Sequence, residues 1–304
     1  MIAMKKYLIQ LILFLVTVAV MCTPASAGHI GVIMTGDIQY YNDVHTAFLA
    51  HMGEQGHDVV EQRPMPDPMS WTNAARKLST IGSDVIVSYG APATLTTMKV
   101  TSEIPIVFAG VYEPETMGLT GKNATGISSS VPVEMVLKKM NEIAKLSNVA
   151  VILSKAEKDS ILQTKMIKNS ESSLGFHSKL ISVSGKINKS AITGVDAILV
   201  TTCSAGMMNI KDIIEIGRKN KILTAALIGG AENDGVILTI TADPEEQGKE
   251  LAGMVKKIIG GANPSGMQVK KPTKVGVILN MREAELLGFS VPPNVKSSAT
   301  RVIE

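Results

Sequence analysis

Short, unbroken apolar runs alternate with amphipathic stretches along almost the whole chain, and that alternation limits the folds open to it. The runs are Ile30-Gly31-Val32-Ile33-Met34, Val85-Ile86-Val87, Ile104-Pro105-Ile106-Val107-Phe108, and residues 149–153, 197–200 and 223–228. Each closes on small or polar residues: Thr35-Gly36, Gly90, Gly110, Ser154, Thr201-Thr202 and Gly229-Gly230. Runs that do not alternate with polar residues suit strands covered on both faces, as in a parallel sheet. Between them Val136, Met140, Ile143 and Leu146 recur at spacings of three and four. Ile210, Ile213, Ile214 and Ile216 recur similarly beside Lys211, Asp212 and Arg218, and Ala47, Leu49 and Met52 lie near polar Glu54 and Gln55. That period puts the apolar side chains on one face of a helix. Strand followed by helix, repeated, predicts an α/β fold with doubly wound parallel sheets. Two such series imply two Rossmann-like lobes, divided near residues 125–132.

The first residues read differently. Lys5 and Lys6 precede an uncharged apolar run over residues 11–21, and Ala25-Ser26-Ala27 follows. These are the three parts of a secretory signal peptide. The run falls short of the ~20 apolar residues that span a bilayer. The pattern predicts export to the periplasm with cleavage after Ala27. The rival is a lipid anchor on Cys22, but Met21 before it is bulkier than the small residue such processing usually takes. Cys203 is then the only cysteine left, so no intrachain disulfide is available. Of the 30 Lys and Arg, two fall in residues 1–27, and none of the 27 Asp and Glu do, so the mature charge is 28 − 27 = +1. That balance argues against nucleic acid or another polyanion as partner. The remaining 277 residues (304 − 27) exceed one typical core and suit two lobes.

Catalytic patterns are missing. His29, His45, His51, His57 and His177 make no short metal-ligand spacing. There is no Gly-x-Ser-x-Gly elbow, no Gly-Lys-Ser/Thr phosphate loop and no Gly-x-Gly-x-x-Gly after the first strand. The sequence favours a binder without cofactor or metal over an enzyme.

In doubly wound sheets ligands bind beyond the carboxyl ends of the strands. That rule selects the loops at residues 36–41, 90–94, 111–114, 154–156, 202–205 and 229–233. Gly90, Ala91, Pro92, Ala93 and Thr94 open a helix after a strand, and Pro suits its first turn. Free N–H groups there can seat a ligand carboxylate, or simply water. Tyr40, Tyr41, Tyr89 and Tyr112 stand at or beside strand ends in a chain with only 4% aromatic residues. Tyr40, Tyr89 or Tyr112 can wall a ligand, whereas Tyr41 suits a partly buried surface ring, and Trp71 suits packing at a helix start. Asp37 and Glu113 can hold a ligand ammonium. Glu113 can equally cap the segment after Pro114. Ser128 and Ser129 can donate to a ligand or satisfy the crossing backbone. In the second series Ser154, Thr202, Cys203, Ser204 and Glu232 occupy the corresponding loops.

Three stretches carry a resemblance. Residues 104–119 (Ile-Pro-Ile-Val-Phe-Ala-Gly-Val-Tyr-Glu-Pro-Glu-Thr-Met-Gly-Leu) are followed by Asn123-Ala124-Thr125-Gly126-Ile127-Ser128. Asp84-Val85-Ile86-Val87-Ser88-Tyr89-Gly90-Ala91-Pro92 precedes them. Asn280-Met281-Arg282-Glu283-Ala284 and Leu287-Gly288-Phe289-Ser290-Val291-Pro292 close the chain. Together they resemble the ABC-transporter substrate-binding proteins that include tryptophan- and other amino-acid-binding members. The resemblance implies a type I periplasmic-binding-protein fold, with two lobes joined by three crossing segments. It places residues 28–128 plus about 241–261 in the first lobe, and 129–240 plus about 262–304 in the second. It implies a monomeric solute-binding protein for an ABC permease and its ATPase, with a small organic ligand, an amino acid among the candidates. A periplasmic sensor serving a membrane receptor, or an exported enzyme on the same fold, are the alternatives. The chain departs from the pattern at Ala91-Pro92, where Thr-Pro is usual, and at residues 241–245 (Thr-Ala-Asp-Pro-Glu). Cys203-Ser204 stands where many members have Asp-Asn. If that Asp binds an ammonium, this pocket has lost a charge there, which Glu232 can replace.

Overall fold

A computed structural model describes residues 28–304 apart from 54, 55 and 122. The expected signal segment, residues 1–27 with Cys22, lies outside the described residues. The first sheet is built from β1 (His29–Met34), β2 (Asp58–Gln62), β3 (Val85–Tyr89), β4 (Ile106–Val111) and β5 (Ala124–Ser128). All are parallel, in the order β2-β1-β3-β4-β5. Every residue of β3, β4 and β5 is buried, as unbroken apolar strands between two helical layers should be. β4 begins at Ile106, since Pro105 lacks the N–H to join a ladder.

The second sheet holds β6 (Asn148–Leu153), β7 (His177–Ser182), β8 (Ala197–Val200), β9 (Leu223–Ala226) and β10 (Leu238–Ala242), followed by β11 (Val275–Asn280) and β12 (Arg301–Ile303). Its order is β12-β11-β10-β9-β8-β6-β7. The parallel strands β6 to β10 repeat the arrangement of the first sheet, and β11 adds antiparallel to β10. This is the mixed α/β architecture, parallel-dominated in both sheets, that the apolar runs imply.

The chain passes between the sheets three times. It leaves β5 through residues 129–132 and enters the Val133–Ile143 helix of the second lobe. From β10 it returns directly into the Pro244–Ile259 helix, which packs on the Gln39–Met52 helix of the first lobe. A Cβ on Gly248 would lie 2.5 Å from both Ala47 Cβ and Phe48 N, so glycine is what lets these helices touch. Asp243 starts the returning helix by accepting from Glu246 N at 2.7 Å, with Pro244 in its first turn. Residues 267–270 still run beside β5, where Ser128 N donates to Lys270 O at 2.9 Å. The third passage follows and leads into β11.

The crossings are bonded to one another. Asp243 N donates to Lys274 O at 3.1 Å, and the Glu246 carboxylate accepts from Thr273 N at 3.1 Å and Lys274 N at 3.0 Å. Gln247 is buried beneath them. Its Oε1 accepts from Gly110 N at 3.1 Å, and its Nε2 donates to Ser128 O at 2.9 Å. No described helix is long and apolar enough to cross a membrane.

Candidate functional site

In both sheets the first strand, β1 or β6, is flanked by neighbours reached in opposite directions. Connecting loops therefore diverge beyond its carboxyl end and leave a crevice. The two crevices face each other. Gly36, just past β1, lies against Ser204, just past β8. A Cβ on Gly36 would stand 2.9 Å from Ser204 Cβ. A Cβ on Gly229 would stand 3.2 Å from the Tyr40 ring, and one on Gly230 would stand 2.7 Å from Gln39 Cβ. The lobes are thus closed on each other, with three glycines at the closest approaches.

Two acids lie buried in this seam. Glu157 and Asp159 begin the Lys158–Asn169 helix after β6, and each is 1% exposed. Glu157 Oε2 accepts from Ser204 N at 3.0 Å and Oε1 from Ala205 N at 3.3 Å. Burial pushes the Glu157 carboxyl up, those amides pull it back, and it settles at about 7. Asp159 Oδ1 accepts from Ser160 N at 3.2 Å, while Oδ2 has no partner. Burial first, then the neighbouring Glu157 charge, hold the Asp159 carboxyl well above its ordinary range. The Ala91 amide, from the first helical residue beyond β3, offsets part of that rise. Asp159 therefore senses the opposite lobe.

The helix at Ala91–Val100 offers fewer free donors than its sequence suggests. Gly90 turns into it with φ 88°, and a Cβ there would lie 2.5 Å from both Thr35 Oγ1 and the Tyr41 hydroxyl. Pro92 has no N–H. Ala93 N donates to Thr35 Oγ1 at 3.2 Å, and Thr94 N to Gly90 O at 3.2 Å. The Thr94 hydroxyl turns inward, 2.8 Å from Gly90 O and 2.8 Å from Ser88 Oγ. Thr35 is itself fixed by Tyr89 O at 2.8 Å, and its carbonyl accepts from the buried Trp71 Nε1 at 2.7 Å. Only the Ala91 amide is left facing the seam.

Tyr40 is buried beside Gly229, and its phenol is raised by burial with the Thr241 hydroxyl pulling against it. Ser204 Oγ, and Ser128 Oγ and Ser129 Oγ at the first crossing, are buried without a hydrogen-bond partner. Ser154 N donates to Ser160 Oγ at 3.1 Å, and the Ser154 hydroxyl stands by Glu157. Thr202 and Cys203 turn into the second lobe. Thr202 Oγ1 accepts from Gln163 Nε2 at 2.9 Å and donates to Leu227 O at 3.1 Å. Cys203 Sγ lies 3.9 Å from Ile152 O, and burial raises its thiol to about 12.

The structure does not bring the remaining candidates to this seam. Asp37 is exposed and accepts from Asn42 Nδ2 at 3.0 Å and Arg63 at 3.1 Å. Tyr112 packs with Val131 and Val133, and burial raises its phenol to about 12. Glu113, with φ 49°, donates its backbone N–H to Ser130 Oγ at 2.9 Å. Glu232 accepts from Arg301 at 2.6 Å and from Gly230 N at 2.9 Å. Tyr89 is held within the first lobe, its hydroxyl 3.0 Å from His45 Nδ1.

Glu157, Asp159 and Thr35 are not among the residues singled out from sequence. The strand-end rule stops at Ala156, but two acids in the first turn of the next helix were a readable signal. A cavity of about 430 Å³ opens at the outer edge of the seam, between Met65 and Pro66 of one lobe and Ala205 and Met208 of the other. Among the described residues no group of three His, Cys, Asp or Glu is placed to hold a metal ion.

Two doubly wound lobes of matched strand order, three crossings and a buried seam between their switch points define a type I periplasmic binding fold. The chain belongs to the ABC transporter substrate-binding protein family, whose signature matches residues 59–303. A Streptococcus pneumonia ABC domain solved in complex with L-Trp is similar at 18% identity and TM-score 0.85, covering 91% of this chain and 100% of that one. A conserved domain protein from Vibrio cholerae is similar at 20% identity and TM-score 0.86, with the same coverage of 91% and 100%. The ligand-free, open structure of a Clostridium difficile substrate binding protein aligns at 21% identity and TM-score 0.64, covering 91% and 99%. No curated protein sequence matches the chain.

Proposed function

We propose that this protein captures a small organic solute bearing an amino group between its two lobes, outside the cytoplasm. It hands that solute to an ABC permease with its ATPase, acts as a monomer and catalyses nothing itself. The observation that carries the reading is the seam. Buried acceptors without partners, Asp159 Oδ2 and Ser204 Oγ, lie between two switch points that close on each other. Unpaired buried polar groups cost roughly 1–3 kcal/mol each, which a ligand supplying their partners would recover.

The closed arrangement supports the same reading. The likeness to the L-Trp complex, TM-score 0.85, exceeds that to the ligand-free open protein, 0.64, although identities are 18% and 21%. An amino acid is the solute class favoured by that complex and by the sequence resemblance, and the acid pair suits its ammonium. The contributing residues are Tyr40, Gly90, Ala91, Ser128, Ser154, Glu157, Asp159 and Ser204. Export rests on the leader pattern that ends at Ala27.

The test is a thermal-shift screen of the secreted protein against amino acids, amines, carboxylates and sugars. A binder at a hundred times its Kd adds about 2.7 kcal/mol and a readable rise in Tm. No rise with any class would remove solute capture.

A further inference from the structure

The near-zero charge of the mature chain conceals two opposite halves. Residues 28–128 and 243–270, which build on the first sheet, carry 9 Lys and Arg against 14 Asp and Glu, or 9 − 14 = −5. Residues 129–242 and 271–304, which build on the second, carry 19 against 13, or 19 − 13 = +6. Four of those lysines lie together. Lys158, Lys165 and Lys168 belong to the Lys158–Asn169 helix, and Lys155 stands in the loop that leads into it from β6. Spacings of seven and three put the helical three on one face, and all four are exposed. None of them forms a salt bridge with a described residue, although Lys138, Lys189 and Lys270 do. The acids of the same stretch, Glu157 and Asp159, are buried in the seam. Lys168 stands in the field of the next acid, Glu171, whose carboxylate already accepts from Ser178 N at 2.9 Å.

Two apolar side chains share this face. Met166, 48% exposed, lies between Lys165 and Lys168 in the helix. Leu180, 41% exposed, is on the edge strand β7. It pairs with Val151, whose side of the sheet is packed by Ile167 of the same helix, so Leu180 points to the side the helix covers. Unpaired lysines beside exposed apolar groups, along a straight element of roughly 18 Å, suit a broad anionic plane with an apolar layer beneath it. Lysine stems can lie along that apolar layer while their ammonium groups stay among the headgroups.

We propose that this face, Lys155 with the exposed side of the Lys158–Asn169 helix and Leu180, is a docking surface for the anionic phospholipid headgroups of a membrane. The proposal goes beyond solute capture and shares with it only the place outside the cytoplasm. Attraction of the second lobe and repulsion of the first orient the molecule on such a surface. Lys155, just past the carboxyl end of β6, then brings the seam end of the second lobe to the membrane.

Vesicle flotation of the secreted protein tests this, with phosphatidylcholine alone against equal parts of phosphatidylcholine and phosphatidylglycerol. At about 0.02 M salt the anionic vesicles should bind about tenfold more strongly than the neutral ones, and about 0.5 M salt should remove most of the difference. The triple variant Lys158→Gln, Lys165→Gln, Lys168→Gln should weaken binding to anionic vesicles at least about tenfold. A control triple, Lys211→Gln, Lys219→Gln, Lys221→Gln, removes the same charge on and beside the Ile210–Asn220 helix, which packs the opposite face of the sheet. It should change binding by less than about threefold. All six side chains are exposed, so both triples should melt within a few degrees of the parent. Equal binding to both kinds of vesicle overturns the inference and leaves an acidic protein face as the occupant. A control triple that loses as much as the first also overturns it, since net charge alone would then account for binding. Solute binding in the thermal-shift screen is read without vesicles, so capture stands or falls separately.

Discussion

Glu157 and Asp159 link the closed arrangement of the lobes to protonation. Tyr41 and Cys203 are the other titratable groups facing them, and burial raises both well out of the working range. A carboxyl whose value is raised on folding binds a proton that the unfolded chain has released. Its contribution is fully present below the ordinary carboxyl range and is lost as pH rises through the folded value, about 7 for Glu157. The unliganded protein should therefore lose stability as pH rises from about 4.5 to about 7, by the order of a few kcal/mol for a shift of this size, read as a fall in Tm. Asp159→Asn should flatten that slope, and a melting series in matched buffers measures it. A slope unchanged by the substitution would mean that the pair is not the titrating element. Cys203 gives a second prediction at this scale. A thiol raised to about 12 and buried is almost wholly protonated near neutral pH. Iodoacetamide should modify Cys203 only after denaturation, read by peptide mass. Rapid labelling of the native chain would show a seam more open than this one. These residues also show what sequence conceals. Ser204 was readable as a strand-end residue. The partners that consume the Ala93 and Thr94 amides were not, because Thr35 is 58 positions away from Ala93 and meets it only through the sheet.

The same division holds among the elements. Strands covered on both faces, β1, β3, β4, β6 and β8, announce themselves as apolar runs because, past the first residue of β1 and β6, nothing along them faces water. β2 and β7 do not, since they are sheet edges left partly or fully exposed along most of their length and carry Asp58, Glu61 and Lys179. The Pro244–Ile259 helix is the element on which the two-lobed arrangement most depends, because it closes the first lobe after the chain has already built most of the second. Two substitutions should show this. Gly248→Ala places a methyl 2.5 Å from Ala47 Cβ and Phe48 N, both on a packed helix that has no room to shift. Overpacking of this kind costs about 1–3 kcal/mol, measured as a fall in the urea midpoint. Gln247→Leu keeps the side-chain size but strands the Gly110 amide and the Ser128 carbonyl, both buried. About 2–4 kcal/mol is expected from two such losses. A variant of either kind with an unchanged midpoint would mean that this helix is not fastened as described.

At the scale of the whole molecule, closure is a statement about Gly36 and Ser204. The crossings are short and bonded to one another through Asp243, Glu246 and Gln247, so the lobes can turn as bodies about them while each sheet keeps its order. Strand ends several strands away from those bonds then move with the lobes, and Gly36 and Ser204, just past β1 and β8, lie at such ends. Their Cβ positions stand 2.9 Å apart in the closed form. A disulfide prefers about 3.8 Å between Cβ atoms, so a bond between cysteines at these positions requires the lobes to part by only about 1 Å. The double variant Gly36→Cys, Ser204→Cys should therefore oxidise readily and hold the protein shut with no solute present. Cys203, adjacent in sequence but turned into the second lobe toward Ile152, is poorly placed to compete. Small-angle scattering should give a smaller radius of gyration for the oxidised variant than for the same protein reduced, because the reduced form is free to open. The oxidised Tm should also rise, since the bond closes a loop of 168 residues (204 − 36) in the unfolded chain. Failure to oxidise would place the two lobes elsewhere relative to each other. Oxidation with identical scattering in both forms would mean that the lobes do not open, and capture by closure would then have no moving part.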